Sequence, residues 1–236
     1  AIDFDMKPET VELEVGTIIV ATGADVYDPA SLVEYGYTKY PNVITSLEFE
    51  RLINAGGPSG GHLIRPGDMQ IPKTVAFIQC VGSRSEKGGL PYCSSVCCMN
   101  TIKDSLLIKE HWPDTQIYVF YIDIRAFGKG FEDLYKRAKK EGVVFIRGLP
   151  ADIVEDRKTH NLWLIGENTL QKELYKVNVG MVILSVGIEP QRDSEVIQRL
   201  FTLSKTSDGF FMEAHPKLRP VDTPTGGVFL AGCAES

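Results

Sequence analysis

Apolar residues in this chain gather into short, β-branched runs separated by polar and glycine-rich connections, with helical spacing confined to a few stretches. Glu12 to Gly23 reads ELEVGTIIVATG, a polar lead into an apolar run closed by glycine. An unbroken run of this kind predicts a strand buried in a parallel sheet. Residues 24–72 are rich in loop formers and predict one short helix, Ser46–Asn54, with Ser46 as N-cap and Glu48 and Glu50 charging its first turn. Gly56-Gly57-Pro58-Ser59-Gly60-Gly61 reads as an exposed linker or loop.

From Lys73 the order becomes β, α, β, α, β: strand Thr74–Gln79, a helix from about Ser95 to Glu110, strand Gln116–Ile124, helix Phe131–Glu141 and strand Val143–Ile146. That alternation predicts a doubly wound unit. Three short alternating segments follow, Asp152–Glu155, Asn161–Ile165 and Glu173–Val177, and suit an antiparallel meander. Met181–Gly187 (MVILSVG) and Gly227–Gly232 (GVFLAG) supply two further strands. The fold class implied is α/β, a Rossmann-like doubly wound domain carrying a β-meander. No repeat of solenoid period and no low-complexity tract interrupts it.

Composition narrows the function. Of 236 residues 43% are hydrophobic, enough for one or two domains with a sizeable core. The net charge of -6 and the lack of any Lys/Arg-rich run argue against nucleic acid or anionic membrane as a partner. The longest apolar runs fall far short of the roughly 20 residues that cross a bilayer, and no signal-peptide pattern opens the chain. A cytoplasmic location is expected, which turns the five cysteines away from structural disulfides and toward metal or redox chemistry. The chain opens on Ala1 and stops at Ser236, just after a buried-looking strand, so it reads as a piece of a longer polypeptide.

Four of those cysteines, Cys80, Cys93, Cys97 and Cys98, fall in one stretch, CVGSRSEKGGLPYCSSVCC. Four thiolates are the ligand set of an iron–sulfur cluster or a structural zinc, because soft anionic sulfur suits both. Metal-free buried or redox-active thiols are the remaining readings. Cys80 ends the first strand of the doubly wound unit, where a dinucleotide fold begins its glycine turn. Here that turn reads Gln79-Cys80-Val81-Gly82-Ser83-Arg84 rather than Gly-x-Gly-x-x-Gly, and about a dozen residues intervene before the helix. Cys97 and Cys98 fall in the helix's first turn, where unpaired N–H groups and the helix dipole are expected to lower a thiol's pKa. Arg84, Glu86 and Lys87 read as a solvated loop whose positive charge would suit an anionic cluster. Asp123 and Arg125 end the second strand, where ribose- or 2'-phosphate-reading residues sit in dinucleotide folds. The four histidines form no metal-ligand pair, and no catalytic side chain is assigned.

Taken in order, ELEVGTIIVATG, KTVAFIQCVGSR, YCSSVCC and GVFLAGC resemble the A subunits of heterodisulfide reductase, across nearly the whole chain. The cysteine block is the specific part. The ATG-ending and GVFLAG strands are shared by the two-dinucleotide-fold flavoprotein reductases. The resemblance implies a thioredoxin-reductase-like core that binds FAD, iron–sulfur clusters, and work with partner subunits and electron-transfer proteins in the electron bifurcation of methanogens and other anaerobes. By resemblance, Cys80, Cys93, Cys97 and Cys98 ligate a 4Fe-4S cluster placed where ordinary reductases bind NAD(P)H. Thr22 and Gly23 close the flavin domain, and Gly232 and Cys233 return to the flavin, Cys233 replacing the Asp that ordinary reductases carry. The implied division is a first flavin-domain segment over residues 1–45, a crossover over 46–72, the Rossmann-like domain with its cysteine insertion over 73–190, and a return to the flavin domain over 191–236. The glycine-rich FAD fingerprint is not in this sequence, so this piece alone is expected to hold FAD poorly. A zinc-stabilised docking domain and a conventional NAD(P)H-dependent flavoprotein reductase are the rival functions.

Overall fold

The computed structural model describes residues 3–86 and 88–235. The expectations that touch Ala1, Lys87 and Ser236 lie outside the described residues. The chain forms two compact units: residues 1–25 with 190–236, and residues 26–189. In chain order the elements that matter are β1 (Ile18–Val20), β2 (Val43–Thr45), α1 (Ser46–Ile53), β3 (Thr74–Val81), α2 (Cys97–His111), β4 (Gln116–Tyr121), α3 (Phe131–Lys140), β5 (Val144–Arg147), β6 (Pro150–Glu155), β7 (Leu162–Asn168), β8 (Glu173–Val179), β9 (Met181–Val186), α4 (Ser194–Phe201) and β10 (Val228–Leu230).

The larger unit is built on a five-stranded sheet in the order β2-β9-β3-β4-β5, with every neighbouring pair parallel. Side chains alternate along each strand, so one run of apolar residues feeds two cores. Val75 and Phe77 of β3 pack on one face with Phe49 and Leu52 of α1, Ile102 and Leu106 of α2 and Ala138 of α3. Ala76 and Ile78 pack on the other face with Ile153, Leu162, Leu164 and Val179 of the antiparallel meander β6-β7-β8. Both faces are covered, which is why β3 and β9 read as continuous hydrophobic strings.

Two local differences from the sequence expectations have physical causes. The cap of α1 is Thr45 rather than Ser46: its Oγ1 accepts from the Glu48 N–H, and the Glu48 carboxylate accepts from the Thr45 N–H at 2.7 Å, a reciprocal capping box. The stretch before it supplies β2, a strand too short to stand out from loop, which pairs with β9 at the sheet edge.

In the smaller unit β1 pairs in parallel with β10, register Val20 to Leu230. Only three residues of the longer ELEVGTIIVATG run are strand. Val20 is buried, whereas Ile19 is 66% exposed. The expected burial thus holds for one face only. Val20, Leu203, Phe211, Val228 and Leu230 make the unit's core.

Candidate functional site

The site grows out of the carboxyl end of β3. Against β9, Ile78 pairs with Leu184 but Val81 pairs with Val186, so β3 carries one extra residue there. Such a bulge bends a strand and re-aims a side chain. Cys80 lies in it at φ 58, in the left-handed region that residues with a Cβ seldom occupy. Arg84 (φ 56) and Ser95 (φ 59) share that conformation, so three such residues fall in the one cysteine-bearing segment. Strain of this kind persists only where surrounding structure holds it, and it gathers at functional sites.

The segment between β3 and α2 is pinned rather than loose. Leu90 N–H donates to Gly82 O (2.8 Å), Arg84 N–H to Tyr92 O (2.9 Å) and Ser85 N–H to Leu90 O (3.0 Å). Tyr92 Oη donates to Ile188 O at 3.0 Å, and Ile188 N–H donates to Ser94 Oγ at 2.9 Å, which fastens Cys93 beside the end of β9. Gly82 (φ 72) lies under the Tyr27 ring, where a Cβ would stand 2.1 Å from Tyr27 Cδ1. A long loop therefore replaces the glycine turn and delivers Cys93, while α2 delivers Cys97 and Cys98.

Three of the thiols, Cys80, Cys97 and Cys98, are harder to ionise than an ordinary cysteine, chiefly because they are buried. Burial first, then the charges of Cys80, Cys98 and Cys93, pushes the Cys97 thiol up to about 12. Burial and the Cys98 charge push Cys80 up to about 11, against the pull of Arg84. Cys98 is also raised, chiefly by burial. The expected lowering at the helix N-terminus is overturned here: Val96 gives α2 no side-chain cap, but desolvation and thiol–thiol repulsion outweigh the dipole. The same features suit a metal. Thiols that resist ionisation together are the ones a cation stabilises as thiolates. Ser95 N–H already donates to Cys93 Sγ at 3.4 Å, and Cys97 and Cys98 lie 3.6 and 3.8 Å from the Val186 and Asp123 carbonyl oxygens. Among the described residues no three His, Cys, Asp or Glu side chains are gathered at ligand geometry, and all five cysteines are free thiols.

Arg84 is not the solvated residue its sequence context suggested. Its guanidinium forms a two-point ion pair with Asp123, Nη2 to Oδ2 at 3.2 Å, and its side chain is 22% exposed. Asp123 is therefore engaged, with Arg125 Nε also 3.8 Å from its Oδ1. A cavity of about 300 Å3 beside them is lined by Cys80, Gly82, Arg84, Gly89, Tyr35 and Ile122 among others.

Beneath the thiols lies a polar cluster that no sequence pattern revealed. Gln79 Nε2 donates to Thr101 Oγ1 (2.6 Å) and Ser185 Oγ (3.2 Å), and the two hydroxyls are 2.9 Å apart. All three side chains are buried. They tie β3, α2 and β9 together next to Cys80, Cys97 and Val186. One signal was available: Gln79 breaks an otherwise apolar run.

In the smaller unit, parallel pairing of β1 with β10 brings Thr22 and Gly23 to the same strand ends as Gly232 and Cys233. Gly23 (φ 77) and Gly232 (φ 68) both adopt the left-handed conformation, and no atom lies within 4 Å of a Cβ built on either. Thr22 Oγ1 is buried without a hydrogen-bond partner. An orphaned hydroxyl beside two open backbone corners at the carboxyl ends of parallel strands fits a cofactor approaching closely. Cys233 is exposed.

No family model matches the chain. Among curated proteins it is 55% identical, over all 236 residues, to an iron-sulfur A subunit of CoB–CoM heterodisulfide reductase from Methanopyrus kandleri. Identity is also 55% to the A subunit of the H(2):CoB-CoM heterodisulfide,ferredoxin reductase of Methanothermobacter thermautotrophicus, and 50% to the iron-sulfur A subunit of the Methanocaldococcus jannaschii CoB–CoM heterodisulfide reductase. The chain spans 36% of the length of each. Among solved structures, thioredoxin reductases of Lactococcus lactis (TM-score 0.53, 17% identity) and T. acidophilum (0.51, 14%) each align with 93% of this chain and 58% of their own, a likeness of fold. Identity of this extent, in alignments that take in the cysteine block and both flanking strands, establishes that the chain belongs to the family of heterodisulfide reductase A subunits.

Proposed function

We propose that this chain is the part of an iron–sulfur flavoprotein oxidoreductase through which electrons pass between FAD and a 4Fe-4S cluster, in heterodisulfide reduction or a related electron-bifurcating reaction. The observation that supports this is that Cys80 lies in the bulge at the end of β3, Cys97 and Cys98 open α2, and the loop carrying Cys93 is tied to the end of β9, where a glycine-rich dinucleotide turn would otherwise stand. In this proposal the four cysteines are the cluster's ligands, and Thr22, Gly23, Gly232 and Cys233 face the flavin. The cluster supplies one-electron transfer without proton or bond changes. The chain's own residues do the rest. The backbone hydrogen bonds that tie residues 82–85 to 90–92 and the bulge at Cys80 fix the backbone that carries the thiols, and the uncapped N–H groups of α2 would offset part of the charge of bound thiolates. Cys80, Cys93, Cys97 and Cys98 would hold the cluster as thiolates, and its positive iron would offset the repulsion among them.

The names of the relatives support work beside partner subunits of the same reductase type and other electron-transfer proteins. No helix among the described residues is long and apolar enough to cross a membrane, and a cytoplasmic location fits the free thiols. The test is made on holoprotein purified without oxygen. Reducing its flavin should produce the paramagnetic signal of a reduced cluster. Cys97→Ser should keep the flavin and lose that signal. Zinc in the four-cysteine site, with flavin reduced and no such signal, would contradict the proposal.

A further inference from the structure

We infer that Arg84 and Asp123 form a charge pair that sets the electron affinity of the four-thiolate site, Arg84 raising it and Asp123 lowering it. The inference rests on the iron–sulfur proposal above. Its geometry is independent of that proposal. Arg84 leaves the loop in a left-handed conformation, its N–H held by Tyr92 O, and its guanidinium grips both oxygens of the Asp123 carboxylate. Arg84 also lines the 300 Å3 cavity that Cys80 lines. Asp123 reaches the site from its other end, its backbone oxygen 3.8 Å from Cys98 Sγ. The pair thus spans the ligand at the end of β3 and the ligand in the first turn of α2.

An electron entering a four-thiolate centre from reduced flavin adds one negative charge and makes or breaks no bond. A fixed cation beside the sulfurs favours that added charge, and a carboxylate opposes it; half-buried groups feel this more strongly than solvated ones. The two-point clamp matters because it holds the guanidinium still, which a lysine, with one point charge on a flexible stem, does only in part. Arg84 is a positioning residue in this sense.

The experiment compares unsubstituted holoprotein with Arg84→Gln, Arg84→Lys and Asp123→Asn, purified without oxygen, by potentiometric titration of cluster and flavin together. The cluster midpoint should fall in Arg84→Gln, stay nearer the original in Arg84→Lys and rise in Asp123→Asn, with the flavin midpoint unmoved. A purely structural role for the pair would not give shifts of opposite sign. Unchanged cluster midpoints with the cluster intact overturn the inference and leave the iron–sulfur proposal standing. An unsubstituted protein with no iron overturns that proposal and this inference with it. Should Arg84→Gln fail to fold, the rise expected in Asp123→Asn, whose side chain is 48% exposed, carries the test.

Discussion

Single residues in this chain carry consequences that neighbours in sequence do not announce. Asp104 is fully buried in α2, with Asn100 Nδ2 3.1 Å from its Oδ2. Lys103 Nζ approaches its Oδ1 at 2.9 Å, though that oxygen accepts no well-aligned hydrogen bond. Burial, with Glu50 adding to it against the pull of Lys103, raises the carboxyl to about 7. Its folded pKa thus exceeds the unfolded value of about 3.9, so protonated Asp104 favours the fold. That contribution is complete below the unfolded pKa and is lost as pH rises through about 7. Asp104→Asn should flatten the decline in stability between acid and neutral pH, and be the more stable protein at pH 8 by on the order of 2 kcal/mol, read by urea unfolding at several pH values. An unchanged pH slope would show that Asp104 ionises normally. Gly82 offers a second residue-scale prediction. A Cβ there meets Tyr27 at φ 72, and Tyr27 Oη donates to Gly88 O at 2.9 Å within the same loop. Gly82→Ala should cost roughly 1–3 kcal/mol and weaken metal retention, measured by unfolding and by metal content after dialysis.

At the scale of elements, the capping box at the head of α1 predicts that Thr45→Ala destabilises the larger unit by about 1 kcal/mol, and Glu48→Ala by less, both read in chemical unfolding. Phe77→Ala should cost more, roughly 3–5 kcal/mol, because the fully buried ring packs edge-on against Phe49 at 5.9 Å and joins β3 to α1. These elements also show what the sequence made legible. The long apolar strings of β3 and β9, the charged α3 and the alternating β6-β7-β8 meander announced themselves, because burial on two faces, one face or alternate faces leaves different periods. β2 did not, since three residues carry no period. The ladder of β1 is likewise only three residues of a longer apolar run, because pairing with β10 alone sets its length. For the site, the four cysteines were visible by spacing, and the family resemblance rested on their block. The ion pair of Arg84 with Asp123 was not, for the two residues lie 39 positions apart and meet only because β3 and β4 are neighbours. Nor did the helix terminus predict the thiols' behaviour, since burial is a property of the fold and not of the dipeptide Cys97-Cys98.

For the whole molecule, two units share one chain: residues 26–189 carry Cys80, Cys93, Cys97 and Cys98, and residues 1–25 with 190–236 bring Thr22 and Gly23 to the strand ends that carry Gly232 and Cys233. Family membership rests on identity of 55% over the full chain, and the relatives are nearly three times as long, the chain spanning 36% of them. Electron transfer between flavin and cluster is thus a claim about the longer protein, while metal identity can be settled on this chain. The deciding measurement is iron, acid-labile sulfide and zinc content after reconstitution without oxygen, beside Cys97→Ser treated identically. Ligation of a cluster by the four cysteines predicts about four irons and about four sulfides per chain, with broad visible absorbance, and a marked loss of both in the substituted chain. One zinc per chain, no sulfide and no visible absorbance would contradict it and make the four cysteines a structural metal site.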